Sequence, residues 1–277
     1  MRQEWICVDA SLPVGQSDVF SELCWELDSV GVEEIPQESD IRFKAFFGPT
    51  QSIQSIENSF KALARDHSIT EFQITRLRVD PNHWVREYRK QFHGFPVRPN
   101  YYIHPPWEEP SKLHPLNLRI KPGRAFGTGT HESTQLSLYA LAALLPGSTN
   151  LLDVGTGSGI LAIAARKLSA NLEIVAMDSD PEATSEARRN SYGNQVENIW
   201  FLTGNLTTLE GSFDLVVANL TLGIFGQIAS DLVRLTGHTL IVSGFTDDQA
   251  ELVLDQFALS LVNSWSQNGW CCHQLSV

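Results

Sequence analysis

Three glycines at two-residue spacing, Gly155, Gly157 and Gly159, follow an apolar run through Asp153 in LLDVGTGSGILAIAA, residues 151–165. Glycine in such a turn lets backbone approach a ligand without a Cβ clash, and the helix opening just beyond presents free N–H groups. That chemistry suits a nucleotide-type cofactor. The dinucleotide fingerprint G-x-G-x-x-G fails because Ile160 stands where its last glycine belongs, which points away from NAD.

Two more polar residues fall near the ends of apolar runs. Asp178 closes LEIVAMD, and a carboxylate at the tip of the second strand of a βαβ unit can accept hydrogen bonds from both hydroxyls of an adenosine ribose. NAD and S-adenosyl-L-methionine (SAM) share that ribose, so Asp178 alone does not separate them. Asn219 lies at the end of FDLVVANL, and carboxyl ends of strands in open α/β sheets face the ligand crevice. Turn, Asp178 and Asn219 at successive strand ends indicate a SAM-type site. A glycine-rich turn that serves packing alone is the bland alternative.

These strands need a core to hold them. With 277 residues and 42% hydrophobic content, the chain can bury one of good size, and its length favours two domains. A net charge of −12 opposes non-specific binding to nucleic acid phosphates and favours a basic partner, or is simply a solvated acidic surface. Cys7, Cys24, Cys271 and Cys272 have neither C-x-x-C spacing nor disulfide-scaffold density, which fits a reducing cytoplasm. No apolar leader follows Met1, and no run approaches the roughly 18 apolar residues of a membrane span. A soluble protein without membrane attachment is expected.

Residues 1–80 read as βαββαβ, the order of a ferredoxin-like α+β plait. Helical periodicity shows in Val19, Leu23, Glu26 and Leu27 and again in Ile56, Phe60, Leu63 and Ala64, with Ser17 and Ser52 as caps. The strand IRFKAFFG has a superficial likeness to an RNA-reading strand. Alternation favours packing, with Ile41, Phe43, Ala45 and Phe47 inward and Arg42, Lys44 and Phe46 outside. Residues 81–100 form a linker: a short helix with Trp84, Tyr88 and Phe92 on one side and basic Arg86, Arg89 and Lys90, then an extended proline-rich stretch. The third segment, 101–277, contains the strand LRIK from Leu118, the loop PGRAFGTGTHEST, the helix QLSLYALAALL and the glycine turn.

The motifs PGRAFGTGTHEST, LLDVGTGSGILAIAARKL, MDSDPEA and VVANL, with HPPW at 104–107 and the late Trp270, together resemble the ribosomal protein methyltransferase family PrmA. The resemblance covers most of residues 81–277. It implies a Rossmann-like class I SAM-dependent methyltransferase domain, a preceding domain that recognises the protein substrate, and ribosomal protein L11 as that substrate. By motif position, the family's SAM contacts fall on Thr134, Gly155, Asp178 and Asn219, with Gly157 in the same turn and Phe126 and His131 as further cofactor-wall candidates. Three departures stand out. Thr156 replaces the family's usual Cys, TLGIF follows ANL where small apolar residues are commoner, and His131–Thr134 reads HEST rather than HPTT. They bear on the substrate more than on the cofactor.

Methyl transfer to nitrogen needs a free lone pair opposite the leaving sulfur. A lysine of pKa about 10.4 is neutral roughly once in 2,500 at pH 7, a deficit of about 4.6 kcal/mol, whereas an α-amine near 7.8 loses about 1. Asn219 is therefore expected to accept a hydrogen bond from the amine and aim its lone pair. His131 is either a base or a loop-ordering residue. The Asn-Pro-Pro-aromatic tetrad of base-methylating enzymes is absent, since Leu220, Thr221 and Leu222 follow Asn219. The alternatives are a lysine methyltransferase for another protein and a non-catalytic SAM-binding docking module. An NAD-dependent oxidoreductase is disfavoured by Ile160.

Overall fold

The computed structural model describes residues 3–13, 20, 24, 27–29, 31–36, 40–48, 51–66, 71–79, 92–122 and 127–277. Ser17, Val19, Leu23, Glu26, the 81–91 part of the expected linker helix, and Phe126 lie outside them. The chain divides into two units, Met1–Gln91 and Phe92–Val277.

In the first unit, β1 (Gln3–Pro13), β2 (Gly31–Pro36), β3 (Asp40–Phe47) and β4 (Glu71–Val79) form one antiparallel sheet in the order β2-β3-β1-β4. The hairpin strand β3 thus separates β2 from β1, which is the ferredoxin-like order. Helix α1 (Ile53–Asp66) follows β3, and Ser52 Oγ accepts the Ser55 N–H at 3.4 Å as its cap. Alternation sends Phe43, Ala45 and Phe47 into a core with Phe20 and Phe60, where the Phe20 ring lies 4.9 Å from Phe43 and 5.2 Å from Phe60. Phe46 departs from expectation. It lies on the other face but is buried, in register with buried Cys7. A period of two decides which face a side chain takes, and leaves open whether that face is covered.

The second unit is built on near-continuous apolar strands, as sheets covered on both faces require. Strands β8 (Asn150–Val154), β9 (Glu173–Asp178), β10 (Ile199–Thr203), β11 (Phe213–Asn219) and β12 (Thr236–Thr246) are parallel. With β13 (Ser260–Gln267) and β14 (Trp270–Ser276) they make a seven-stranded sheet of order β10-β9-β8-β11-β12-β14-β13, in which β14 runs antiparallel to both neighbours. Helices α2 (Glu132–Leu144), α3 (Ile160–Leu168) and α4 (Pro181–Gly193) pack residues such as Leu141, Ile163 and Ala187 on one face. On the other, α5 (Leu222–Leu235) and α6 (Ala250–Leu254) supply Phe225, Leu232 and Val253. This is the α/β Rossmann-like architecture expected. The proline-rich stretch and the LRIK region make a small separate sheet of β5 (Phe95–Val97), β6 (Tyr101–His104) and β7 (Leu116–Arg119). Asn194 fastens β7 to α4 by accepting the Arg119 N–H at 2.9 Å and donating to the Arg119 carbonyl at 2.7 Å.

From β8 the chain first builds outward through β9 and β10, then returns to place β11 on the other side. The order reverses between β8 and β11, the switch point at which open α/β sheets take ligands. Gly159 sets α3 against α4 there, because a Cβ on it would sit 2.9 Å from Ala187 Cβ, and its φ is +82°. Gly159→Ala should cost about 2–4 kcal/mol, from left-handed backbone plus overpacking. Gly211→Ala, at φ +86° with open space around it, should cost about 1–2 kcal/mol from backbone alone. Denaturant unfolding of the two variants measures the difference, and equal losses would show that the close approach to α4 carries no energy.

Candidate active site

At the carboxyl ends of β8, β9 and β11 lies a cavity of about 670 Å³, and Gly155, Gly157, Asp178 and Asn219 all line it. The turn is built from left-handed backbone, with φ of +67° at Gly155 and +53° at Gly157. A Cβ on Gly155 would fall 2.4 Å from Leu220 Cδ2, closing the space between turn and β11. The Gly155 and Thr156 N–H groups both donate to the Met177 carbonyl, at 2.8 and 3.0 Å. Asp178 then receives the next donor: its Oδ2 accepts the Gly157 N–H at 2.9 Å and its Oδ1 accepts the Asp180 N–H at 3.0 Å. Two backbone bonds fix the carboxylate while each oxygen retains acceptor capacity.

Asn219 is held from behind. Its Nδ2 donates to Thr134 Oγ1 at 3.3 Å, and Thr134 is fully buried in the first turn of α2. Thr134 is one layer back from the cavity, as the anchor of Asn219. The other amide atom, Asn219 Oδ1, is buried with no hydrogen-bond partner among the described residues. Gly244 makes room for it, since a Cβ there would lie 2.9 Å from Asn219 Oδ1 and 2.4 Å from the Leu220 carbonyl. Close approach at this second site is signalled in the sequence only by a glycine at the end of an apolar run.

His131 caps α2: its Nδ1 accepts the Ser133 N–H at 3.2 Å, and Ser133 Oγ lies 2.8 Å away. Nδ1 thus serves as a helix-cap acceptor. The ring meets Trp270 edge-on at 4.3 Å, and both line the cavity. Ser158 Oγ donates to the Gly127 carbonyl, tying the FGTGTH loop to the glycine turn. Met177, Leu206, Ile224 and Ile228 complete the apolar wall beside Trp270. The family motifs include Trp270 and Met177, and TLGIF holds Ile224, without giving any of the three a place in the wall; Leu206 and Ile228 carry no mark, because apolar identity alone does not set them apart from core.

Asp153 also escapes sequence reasoning beyond its place in the motif. Nearly fully buried, its Oδ2 accepts from Thr156 Oγ1 at 2.7 Å and from the Ala162 N–H at 3.2 Å. It caps α3, whose own N-cap is Gly159 without a side chain. Among the described residues no group of three or more His, Cys, Asp or Glu is placed to hold a metal, and no helix is long and apolar enough to cross a membrane.

A cradle that a Cβ would fill, a fixed carboxylate at the second strand tip and an orphaned amide oxygen fit an adenosine-bearing sulfonium cofactor. Comparison with known proteins decides the family: the profile of "Ribosomal protein L11 methyltransferase (PrmA)" matches residues 8–276. The chain belongs to this family. Two relatives named ribosomal protein L11 methyltransferase are each 32% identical to this methyltransferase. That from Caldicellulosiruptor saccharolyticus aligns over 88% of this chain and 83% of its own. That from Pelobacter propionicus aligns over 93% and 92%. A crystal structure of ribosomal protein L11 methylase from Lactobacillus delbrueckii subsp. bulgaricus is 29% identical with a TM-score of 0.61, covering 67% of this chain and 98% of that one. The enzyme is a SAM-dependent methyltransferase.

Burial pushes the Asp153 carboxyl up to about 7, against the bonds from Thr156 and Ala162 that lower it, and the Asp178 charge adds to the rise. The folded value lies above the unfolded one of about 3.9, so its contribution to stability is full below that pH and is lost as pH rises through about 7. Asp153→Asn keeps the acceptor oxygen and removes the titration. The stability of the parent relative to this variant should fall between pH 4.5 and 7.5 by about 3 kcal/mol. Parallel urea curves of the two proteins at both pH values test this, and a constant difference would mean that folding does not raise the Asp153 pKa.

Proposed function

We propose that this methyltransferase modifies amino groups of ribosomal protein L11, namely lysine side chains and the N-terminal amine. The observation that carries the chemistry is Asn219, which lines the cavity and whose buried Oδ1 has no hydrogen-bond partner among the described residues. Gly155 and Gly157 give SAM its close backbone approach, Asp178 binds the ribose hydroxyls, and Thr134 holds Asn219. SAM, when bound, supplies a methyl group on a sulfonium centre. Asn219 Oδ1 accepts a hydrogen bond from the incoming amine and turns its lone pair toward that methyl, and the released proton passes to water. Positioning of this kind converts an encounter into a near-attack geometry.

Residues 1–80 are the substrate-recognition domain in this reading, residues 81–100 connect it, and residues 101–277 do the chemistry. A net charge of −12 suits a basic protein substrate and opposes direct nucleic acid binding, and the enzyme works in the cytoplasm. Labelled methyl from SAM should appear in purified L11, resolved by intact mass, and disappear with Asp178→Ala. Label confined to other proteins would redirect the substrate, and SAM binding without any transfer would leave a docking module. Asn219→Ala should lower kcat about 10²-fold and weaken calorimetric SAM affinity as well. Undiminished turnover would remove Asn219 from the chemistry.

A further inference from the structure

The seven-stranded sheet ends in two edges of different character. At one, β10 is five residues long, and Arg188 and Arg166 donate to the carbonyls of Phe201 and Asn198. Side chains already engage its backbone. At the other, β13 is eight residues long and, among the described residues, pairs only with β14. Natural edges are blunted by charge, proline, bulges or cover. The sequence of β13, SLVNSWSQ, has neither charge nor proline, and no Asp, Glu, Lys or Arg occurs from Gln256 to Val277 in a chain with 19% charged residues. Leu261 and Val262 stand 47% and 51% exposed. The register with β14 shifts between Leu261 and Asn263, leaving residues 263–267 as a regular edge beyond the irregularity.

We infer that β13 is an interface between two copies of this chain, pairing antiparallel with itself about a two-fold axis so that two seven-stranded sheets become one. The charge distribution selects a copy over another partner. Two chains of net charge −12 repel, so a close contact between them is favoured at a strand with no charge of its own, where the neighbouring charges are of both signs: Arg98 across the groove lined by Ser264 to Asn268, and Glu132 bonded to Asn268. A two-fold antiparallel pair also sets residues near the axis opposite their own equivalents, where any charge would face its like. A strand without charge meets that condition, whereas it offers a basic partner less than the rest of this acidic surface does. One strand pair is small beside the about 1,600 Å² of a standard interface, so the association is reversible.

Sedimentation equilibrium of the full chain over a wide concentration range should show the mass rising from 30.8 kDa toward twice that value. Amide hydrogen exchange in residues 260–267 should slow in parallel. Ser264 and Ser266 are exposed on one face of β13, so Ser264→Lys with Ser266→Lys should keep the chain monomeric, as should the corresponding pair of Glu substitutions. Mixing the two double variants should restore the doubled mass, a result that damage to the fold would not produce. A single mass at every concentration overturns the proposal, as does a lysine variant that associates like the parent or exchange in β13 that ignores association. Monomers whose methylation of protein, but not SAM binding, is lost in both variants would assign the edge to a substrate strand and reject the self-pair.

Discussion

A turn made from left-handed glycines has no side chains with which to satisfy its own donors, so the cavity depends on acceptors supplied from neighbouring strands. The Met177 carbonyl takes two N–H groups of the turn and the Asp178 carboxylate takes a third. Asp153, one strand away, takes a donor of the helix that follows. Buried backbone donors left without such partners would each cost about 1–3 kcal/mol. The spacing of the glycines and the positions of both acids are therefore one requirement. The same bonds that make the turn stable also hold Asp178 at the strand tip.

Much of this was legible because the relevant residues interrupt apolar runs. Asp178 and Asn219 stand out at the ends of LEIVAMD and FDLVVANL, and strands that end together present their final residues to one crevice. The βαββαβ pattern of the first unit likewise carried its strand order, since alternation and turn spacing leave few ways to pair four strands.

Other features were hidden because they arise between elements far apart in sequence. Thr134 and Asn219 meet across 85 positions, and the local pattern of either says only that one starts a helix and the other ends a strand. Gly244 and Trp270 enter the site from β12 and from the start of antiparallel β14. Asp153 reads as part of a cofactor motif, yet its bonds are those of a helix cap. Phe46 shows the same limit in the first unit, where pattern fixes a direction and tertiary packing decides the burial.

The anchor of Asn219 belongs to the first turn of α2, a turn held by the His131 cap and by the His131 carbonyl, which accepts the Thr134 and Gln135 N–H groups at 3.1 and 3.2 Å. Ser133, Thr134 and Ser137 are all buried, and the Ser133 carbonyl accepts from Ser137 Oγ and Ser243 Oγ, so this helix end has the packing of core and not that of a frayed terminus. The amide therefore keeps its orientation for as long as the sheet beneath it stays folded, and the two are lost in one step.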